Sequence, residues 1–297
     1  MIVVFGSTNL DQVGTVTRLP QPGETVAGGT FSMAPGGKGA NQALAARRAG
    51  AEVLHVSAVG QDAFADMALD LLARGGVDLS QLRRAPAATG IAMIFVDAAG
   101  ENVIAILPGA NGLLSPEDAE RGLDRLGAGD ILLVQQEVPQ AATRRALDIA
   151  RRKGARSVLN TAPFLPDTAA LAPLADIVIA NETEFSLLSG RPIAELDAAM
   201  ADWTQKTGRT IVVTLGPEGA RARTPEGPLA VPAHKVVPVD TVGAGDTFCG
   251  YLAAALDAGL SLETALRRAA LAGSLACLKP GAQPAIPLRA EIDAIIG

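Results

Sequence analysis

Aromatic side chains are nearly missing from this chain: one Trp, one Tyr and seven Phe in 297 residues, 3% in all. With hydrophobic residues at 48%, any core must therefore be built from Ala, Val, Leu and Ile. Cysteine is almost as scarce. Cys249 and Cys277 both fall in helix-like runs and make no metal-binding spacing, which excludes a disulfide framework or a thiolate metal site. No apolar stretch reaches the ~20 residues that span a bilayer. Met1-Ile2-Val3-Val4-Phe5-Gly6 is too short for a secretory leader and lacks a basic flank. A soluble cytoplasmic protein with reduced thiols, and no membrane partner, is the expectation. Basic blocks are also missing. The net charge is −6, which argues against nucleic acid as a partner.

What is present is a rhythm. Short apolar runs alternate with amphipathic stretches, the pattern of a mostly parallel sheet covered on both faces. Strands are predicted at Ile2–Phe5, Val53–Val59, Ile131–Val134, Arg156–Asn160, Ile177–Ala180 and Thr210–Thr214. Helices are predicted around Ala40–Ala49, Ala63–Arg74, Pro116–Leu126, Gln140–Arg152 and Leu196–Lys206. Two segments break the alternation. Asp11 to Met33 reads as turn-rich, punctuated by Pro20, Pro22, Gly28 and Gly29. Gly90–Val96 and Asn102–Leu107 flank Asp97-Ala98-Ala99-Gly100 and read as a hairpin that could project as a small separate sheet. The length permits one large α/β domain or two smaller ones, but no repeat or linker marks a second unit.

The most informative segment is Asp240-Thr241-Val242-Gly243-Ala244-Gly245-Asp246, which runs directly into a helix-like apolar stretch. Small residues let backbone N–H groups at a helix N-terminus approach a phosphate, and the helix dipole adds partial positive charge there. Asp246 then stands beside the anion site as a candidate base, which is what phosphoryl transfer to an alcohol requires. The same residues also fit a tight turn with a helix-capping acid. Two familiar nucleotide fingerprints are excluded. Phe248 stands where G-x-G-x-x-G needs its third glycine. Ser32 and Gly39 occupy the positions where a Walker A loop around Gly37-Lys38 needs Gly and Ser or Thr.

Several short pieces, in order along nearly the whole chain, resemble the ribokinase-like (PfkB) family of carbohydrate kinases. They include Gly6-Ser7-Thr8-Asn9-Leu10-Asp11, Pro22-Gly23-Glu24-Thr25, Gly36-Gly37-Lys38-Gly39-Ala40-Asn41-Gln42-Ala43 and Pro108-Gly109-Ala110-Asn111. The C-terminal half adds Asn181-Glu182-Thr183-Glu184, Thr214-Leu215-Gly216, the segment Asp240 to Asp246 and Gly281-Ala282-Gln283-Pro284. The resemblance implies one kinase domain over 1–297, a three-layer αβα sandwich with a mostly parallel central sheet. A small β-sheet lid, from segments near 11–35 and 89–108, would cover the sugar and is often used for dimerisation.

It further implies an ATP-dependent kinase, nearest to those that phosphorylate the primary hydroxyl of D-ribose. Asp246 would be the base, with Gly243, Ala244 and Gly245 as the amide nest. Asn9, Asp11, Gly37, Lys38, Asn41 and Glu137 would hold the sugar. Asn181 and Glu184, which also read as a helix capping box, would organise Mg²⁺ and phosphate, usually through water. Thr214, Gly216 and Gly219 would line the nucleotide. A monovalent cation such as K⁺ would sit near Asp240 and the carbonyls of Val242, Cys277, Lys279 and Gly281. The chain departs from the pattern at Ala285, often a serine in relatives, and at Ala270, sometimes a histidine. A nucleoside, deoxyribose, fructose or ketodeoxy sugar acid as acceptor is the alternative within the class. A non-catalytic sugar- or nucleotide-binding sensor is the alternative outside it.

Overall fold

The computed structural model describes residues 1–296. The chain opens with β1 (Ile2–Phe5), passes through β2 (Asn9–Val16) and β3 (Gly28–Gly36), and enters helix α1 (Lys38–Arg48). Next come β4 (Val53–Val56), β5 (Ala58–Val59), α2 (Ala63–Arg74), β6 (Arg83–Arg84), β7 (Gly90–Val96), β8 (Asn102–Leu107) and α3 (Pro116–Gly122). A regular stretch follows: β9 (Ile131–Val134), α4 (Gln140–Lys153), β10 (Arg156–Asn160), α5 (Thr168–Leu171), β11 (Ile177–Asn181), α6 (Glu182–Ser189), α7 (Leu196–Thr207) and β12 (Thr210–Thr214). The chain closes with β13 (Ala220–Thr224), β14 (Gly227–Val231) and helices α8 (Ala244–Asp257), α9 (Leu262–Ala276), α10 (Ala282–Ala285) and α11 (Arg289–Ile296).

Eight strands form the main sheet in the order β14-β13-β12-β11-β10-β9-β1-β4. The six from β12 to β4 are parallel, and β13 and β14 add an antiparallel edge. Both faces are covered, so the central strands read as unbroken apolar runs. Along β1 the side chains alternate between two cores. Ile2 and Val4 lie with Ala43, Leu252 and Leu266, whereas Val3 and Phe5 lie with Leu123 and Leu147. The scarcity of aromatics shows in the helix packing. Gly250 of α8 faces Ala45 and the Gln42 carbonyl of α1 so closely that a Cβ would collide with both. That close approach carries Asn41 and Gln42 against the first turn of α8.

A separate four-stranded sheet, in the order β3-β2-β7-β8, stands apart from the main one. The predicted hairpin is β7–β8 with its predicted boundaries. The turn-rich reading of Asp11 to Met33 needs correction: its two ends are long strands, and only the connection around Pro20 and Pro22 is irregular. The signal was hidden because β3 is an edge strand exposed over most of its length, so no hydrophobic alternation is imposed and Gly28 and Gly29 are tolerated. Two further boundaries move. The predicted strand Val53–Val59 breaks at Ser57, whose hydroxyl turns to Thr8, and Ala58–Val59 pairs instead with Arg83–Arg84. The predicted helix Pro116–Leu126 ends at Gly122, where a Cβ would strike Val56.

Candidate active site

The loops leaving β1, β9, β10, β11 and β12 all emerge at the carboxyl end of the parallel strands, where open α/β sheets place their ligands. The first turn of α8 lies among them. Its N-cap, Gly243, has φ 76° and offers no side-chain cap, unlike Asp62, Ser115, Asn181 and Ser261, which cap α2, α3, α6 and α9. The Ala244 N–H reaches the Thr241 carbonyl at 3.3 Å, and the amides of Gly243, Gly245 and Asp246 are left to an outside acceptor. The space before them is open: a Cβ on Gly245 would meet nothing within 4 Å. A residue with Cβ at Gly243 would be strained by its φ and would collide with Ala282.

Asp246 is buried in that first turn, with 7% exposure. Its carboxylate is held from two sides by α1: Asn41 Nδ2 donates to Oδ2 and Gln42 Nε2 to Oδ1, both at 2.9 Å. Gln42 is itself oriented, because its Oε1 accepts from Gln135 Nε2 at 2.7 Å and its Nε2 also reaches Asn160 Oδ1 at 3.2 Å. Asp246, Gly243 and Gly245 line a cavity of about 150 Å³ with Lys38, Asn160, Asn181, Glu184, Thr214 and Cys249. Burial alone would lower the Lys38 ammonium, but the carboxylates of Asp246, Glu137 and Glu184 hold it above the ordinary lysine value. Lys38 therefore stays cationic, a fixed positive charge facing the helix mouth. Burial pushes the thiol of Cys249 well up, so it is an inert wall rather than a nucleophile.

Asn181 and Glu184 form the capping box read from the sequence: Asn181 Oδ1 accepts from Glu184 N–H at 2.8 Å and Glu184 Oε2 from Asn181 N–H at 3.1 Å. Thr161 Oγ1 also donates to Oε2, at 2.9 Å. Glu184 Oε1 has no protein partner among the described residues, which leaves an anionic oxygen beside the cavity, suited to hydrated Mg²⁺. Gly216 and Gly219 stand in the turn beyond β12 and do not line this cavity.

A second cluster adjoins the first through Lys38 and Asn41. Glu137 Oε2 accepts from Ser7 Oγ at 2.6 Å, Lys38 N–H at 3.0 Å and Asn9 Nδ2 at 3.5 Å. Gly37, at φ 89°, lies so close to Asn9 that a side chain there would clash, which lets α1 begin against the β1–β2 loop. Asp11 on β2 faces Gly36, where any Cβ would overlap its carboxylate. Burial, then the neighbouring Glu137 and Asp246 carboxylates, push Asp11 up to about 7 against the pull of Lys38. Asn41 Oδ1 is buried without a partner, an acceptor left for something else. Asn9, Asp11, Gly37, Lys38, Asn41 and Glu137 are thus brought together, a set of donors and acceptors whose chemistry suits a polyhydroxy ligand. Ser7 and Gln42 were missed as site residues. Both lie inside the motifs, but only the fold reveals that they orient Glu137 and Asp246.

The residues assigned to a monovalent cation are partly assembled. Asp240 clasps two loops, accepting from Val242 N–H at 2.9 Å and Gly281 N–H at 2.8 Å. The Cys277 carbonyl already accepts from Val239 and Asp240 N–H, at 2.7 and 3.3 Å. Lys279 turns its ammonium towards Glu291, 3.7 Å away.

Residues 1–289 match the model of the pfkB family carbohydrate kinases. A ribokinase of Staphylococcus aureus is 37% identical over 300 residues, covering 99% of each chain. A deoxyribokinase of Salmonella typhi is 35% identical over 291 residues, covering 96% of this chain and 95% of its own. The solved structure of an Arabidopsis thaliana ribokinase complexed with ribose and ATP superposes with a TM-score of 0.88 at 32% identity, covering 99% of this chain and 97% of its own. These matches run along nearly the whole of each chain, and the chain belongs to the pfkB family of carbohydrate kinases.

Proposed function

We propose that this kinase transfers the γ-phosphoryl group of ATP to the primary 5-hydroxyl of D-ribose. The observation that carries the proposal is Asp246, a buried carboxylate fixed by Asn41 and Gln42 at the open mouth of an uncapped helix. In this reading Asp246 removes the hydroxyl proton while the ribose O5 bonds to the γ-phosphorus and the bond to the β–γ bridging oxygen breaks. Amides of Gly243, Ala244, Gly245 and Asp246 offset the charge on the transferring group, together with Lys38. Asn9, Asp11, Gly37, Lys38, Asn41 and Glu137 hold the sugar, and Thr214, Gly216 and Gly219 border the nucleotide. Mg²⁺, when bound, neutralises the triphosphate, and Asn181 with Glu184 would hold it through water. K⁺ near Asp240 would find few oxygens, since Ala285 contributes no hydroxyl and the Cys277 carbonyl is already engaged.

The whole chain then acts as one cytoplasmic kinase domain, with segments 11–35 and 89–108 as the lid and as a homodimer contact. The relative from Salmonella typhi makes 2-deoxyribose the second acceptor to weigh. A panel of D-ribose, 2-deoxyribose, fructose, a ketodeoxy sugar acid and adenosine, read by ADP release, tests the proposal. The expected result is a kcat/KM for ribose at least about tenfold above every other acceptor, because buried groups built for hydroxyls reject analogues that leave them unpaired. A tenfold preference for another acceptor would leave a kinase but remove ribose.

A further inference from the structure

Pro108-Gly109-Ala110-Asn111 lies outside the lining of the cavity at the mouth of α8. It follows β8 directly, and Asn111 is 1% exposed. Its amide pairs with the Thr8 peptide on both sides: Oδ1 accepts from Thr8 N–H at 2.9 Å, and Nδ2 donates to the Thr8 carbonyl at 3.0 Å. This pairing fixes the orientation of the amide, since a flip would set donor against donor and acceptor against acceptor. The remaining Nδ2 proton goes to Asn9 Oδ1 at 2.7 Å. The amide of Asn9 is fixed in turn: its oxygen must face Asn111, so its NH₂ faces Glu137 and the acceptor cluster. Gly90 of β7 lies so close over this pair that any side chain there would collide with both amides.

The Thr8 peptide is anchored from below as well. His55 Nδ1 lies 3.2 Å from the Val4 carbonyl and donates to it, so Nε2 accepts from the Thr8 hydroxyl at 3.0 Å, and Thr8 Oγ1 accepts from Ser57 at 2.9 Å. Burial lowers His55 to about 4, so this neutral chain holds at physiological pH.

We propose that Asn111 is a positioning residue that holds the Asn9 amide with its NH₂ turned to the sugar, setting a hydrogen-bond donor beside the Asp11 acceptor. The inference rests on Asn9 being a sugar contact. Without Asn111 only the long 3.5 Å contact to Glu137 orients the Asn9 amide, so its NH₂ is no longer held towards the sugar.

The test is a double-mutant cycle on KM for D-ribose, or for the best acceptor of the panel above, with KM for ATP as internal control. Asn111→Asp keeps the shape but removes the donor. Asn111→Ala removes it without burying a charge and carries the test if the first variant does not fold. Either change is expected to raise sugar KM about tenfold or more, as loss of an aligned buried hydrogen bond does, with ATP KM within about threefold. In an Asn9→Ala background the same change should alter sugar KM by less than about twofold. Equal effects in both backgrounds, an equal rise in ATP KM, or unchanged sugar KM in the single variant would each overturn the proposal. Asn9→Ala alone with unchanged sugar KM removes the sugar contact on which the proposal rests, and a wild type without sugar turnover refutes the kinase reading instead.

Discussion

Asp246 shows how the site works at the scale of one residue. Its two carboxylate oxygens each take an amide donor from α1, so its position is fixed before substrate arrives. Asp246→Asn keeps the shape and the nest amides but removes the base. It should lower kcat by about 10²–10⁴ while nucleotide binding, read by calorimetry, is retained; turnover within a few-fold of wild type would remove Asp246 from that role. Asp11 makes a pH prediction. Its folded value of about 7 lies above the ordinary carboxyl value of ~3.9. The stability it contributes is therefore present at acid pH and lost as pH rises through about 7. The melting temperature of the ligand-free protein should accordingly fall more steeply between about pH 4 and 7 than that of Asp11→Asn, and level off above. Ribose affinity should move the other way, because only the ionised carboxylate accepts from two hydroxyls. Ribose KM that stays flat over this range in the wild type would exclude Asp11 from the clamp. These residues were legible in the sequence as members of motifs. Their partners were not: Ser7, Gln42 and Gln135 act across separations of 93 to 204 residues, which only the folded chain brings together.

At the scale of elements, the central strands were readable because burial on both faces leaves them little but Val, Ile and Leu. The second sheet was half readable. β7 and β8 are bounded by a clear turn, whereas β2 and β3 are joined by a long Pro-containing connection that masks them. β13 and β14 were not picked out, since Arg221, Arg223 and Pro228 interrupt any apolar run at the sheet edge. The helix that matters most is α8. Gly245 in its first turn has no positive φ and faces open space, so Gly245→Ala is compatible with the fold. It should raise stability by about 0.4–1 kcal/mol, as Gly→Ala does at a permissive helical site. The added methyl would occupy the phosphate space, so KM for ATP should rise at least about tenfold. A variant that is both more stable and unimpaired would mean that no phosphate approaches this turn.

For the whole molecule, the second sheet leaves an apolar face in solution. Phe31, Met33, Met93, Phe95 and Val103 share one face and are all exposed, far more than isolated surface apolar residues require. β3 and β8 also present open edges. Sedimentation at micromolar concentration should give a homodimer, and replacing Phe31 and Phe95 with Ser should yield monomer; a monomeric wild type would leave this face without its proposed role. Transfer to one particular oxygen, the 5-hydroxyl of the sugar, is the central step. The most direct test is phosphorus NMR of the product formed from D-ribose and ATP, with Asp246→Asn run beside the wild type. The wild type should accumulate a monoester whose phosphorus is split by the two methylene protons at C5, and the variant should form it at least about a hundredfold more slowly. A product phosphorylated at C1, or equal rates from both proteins, would contradict it.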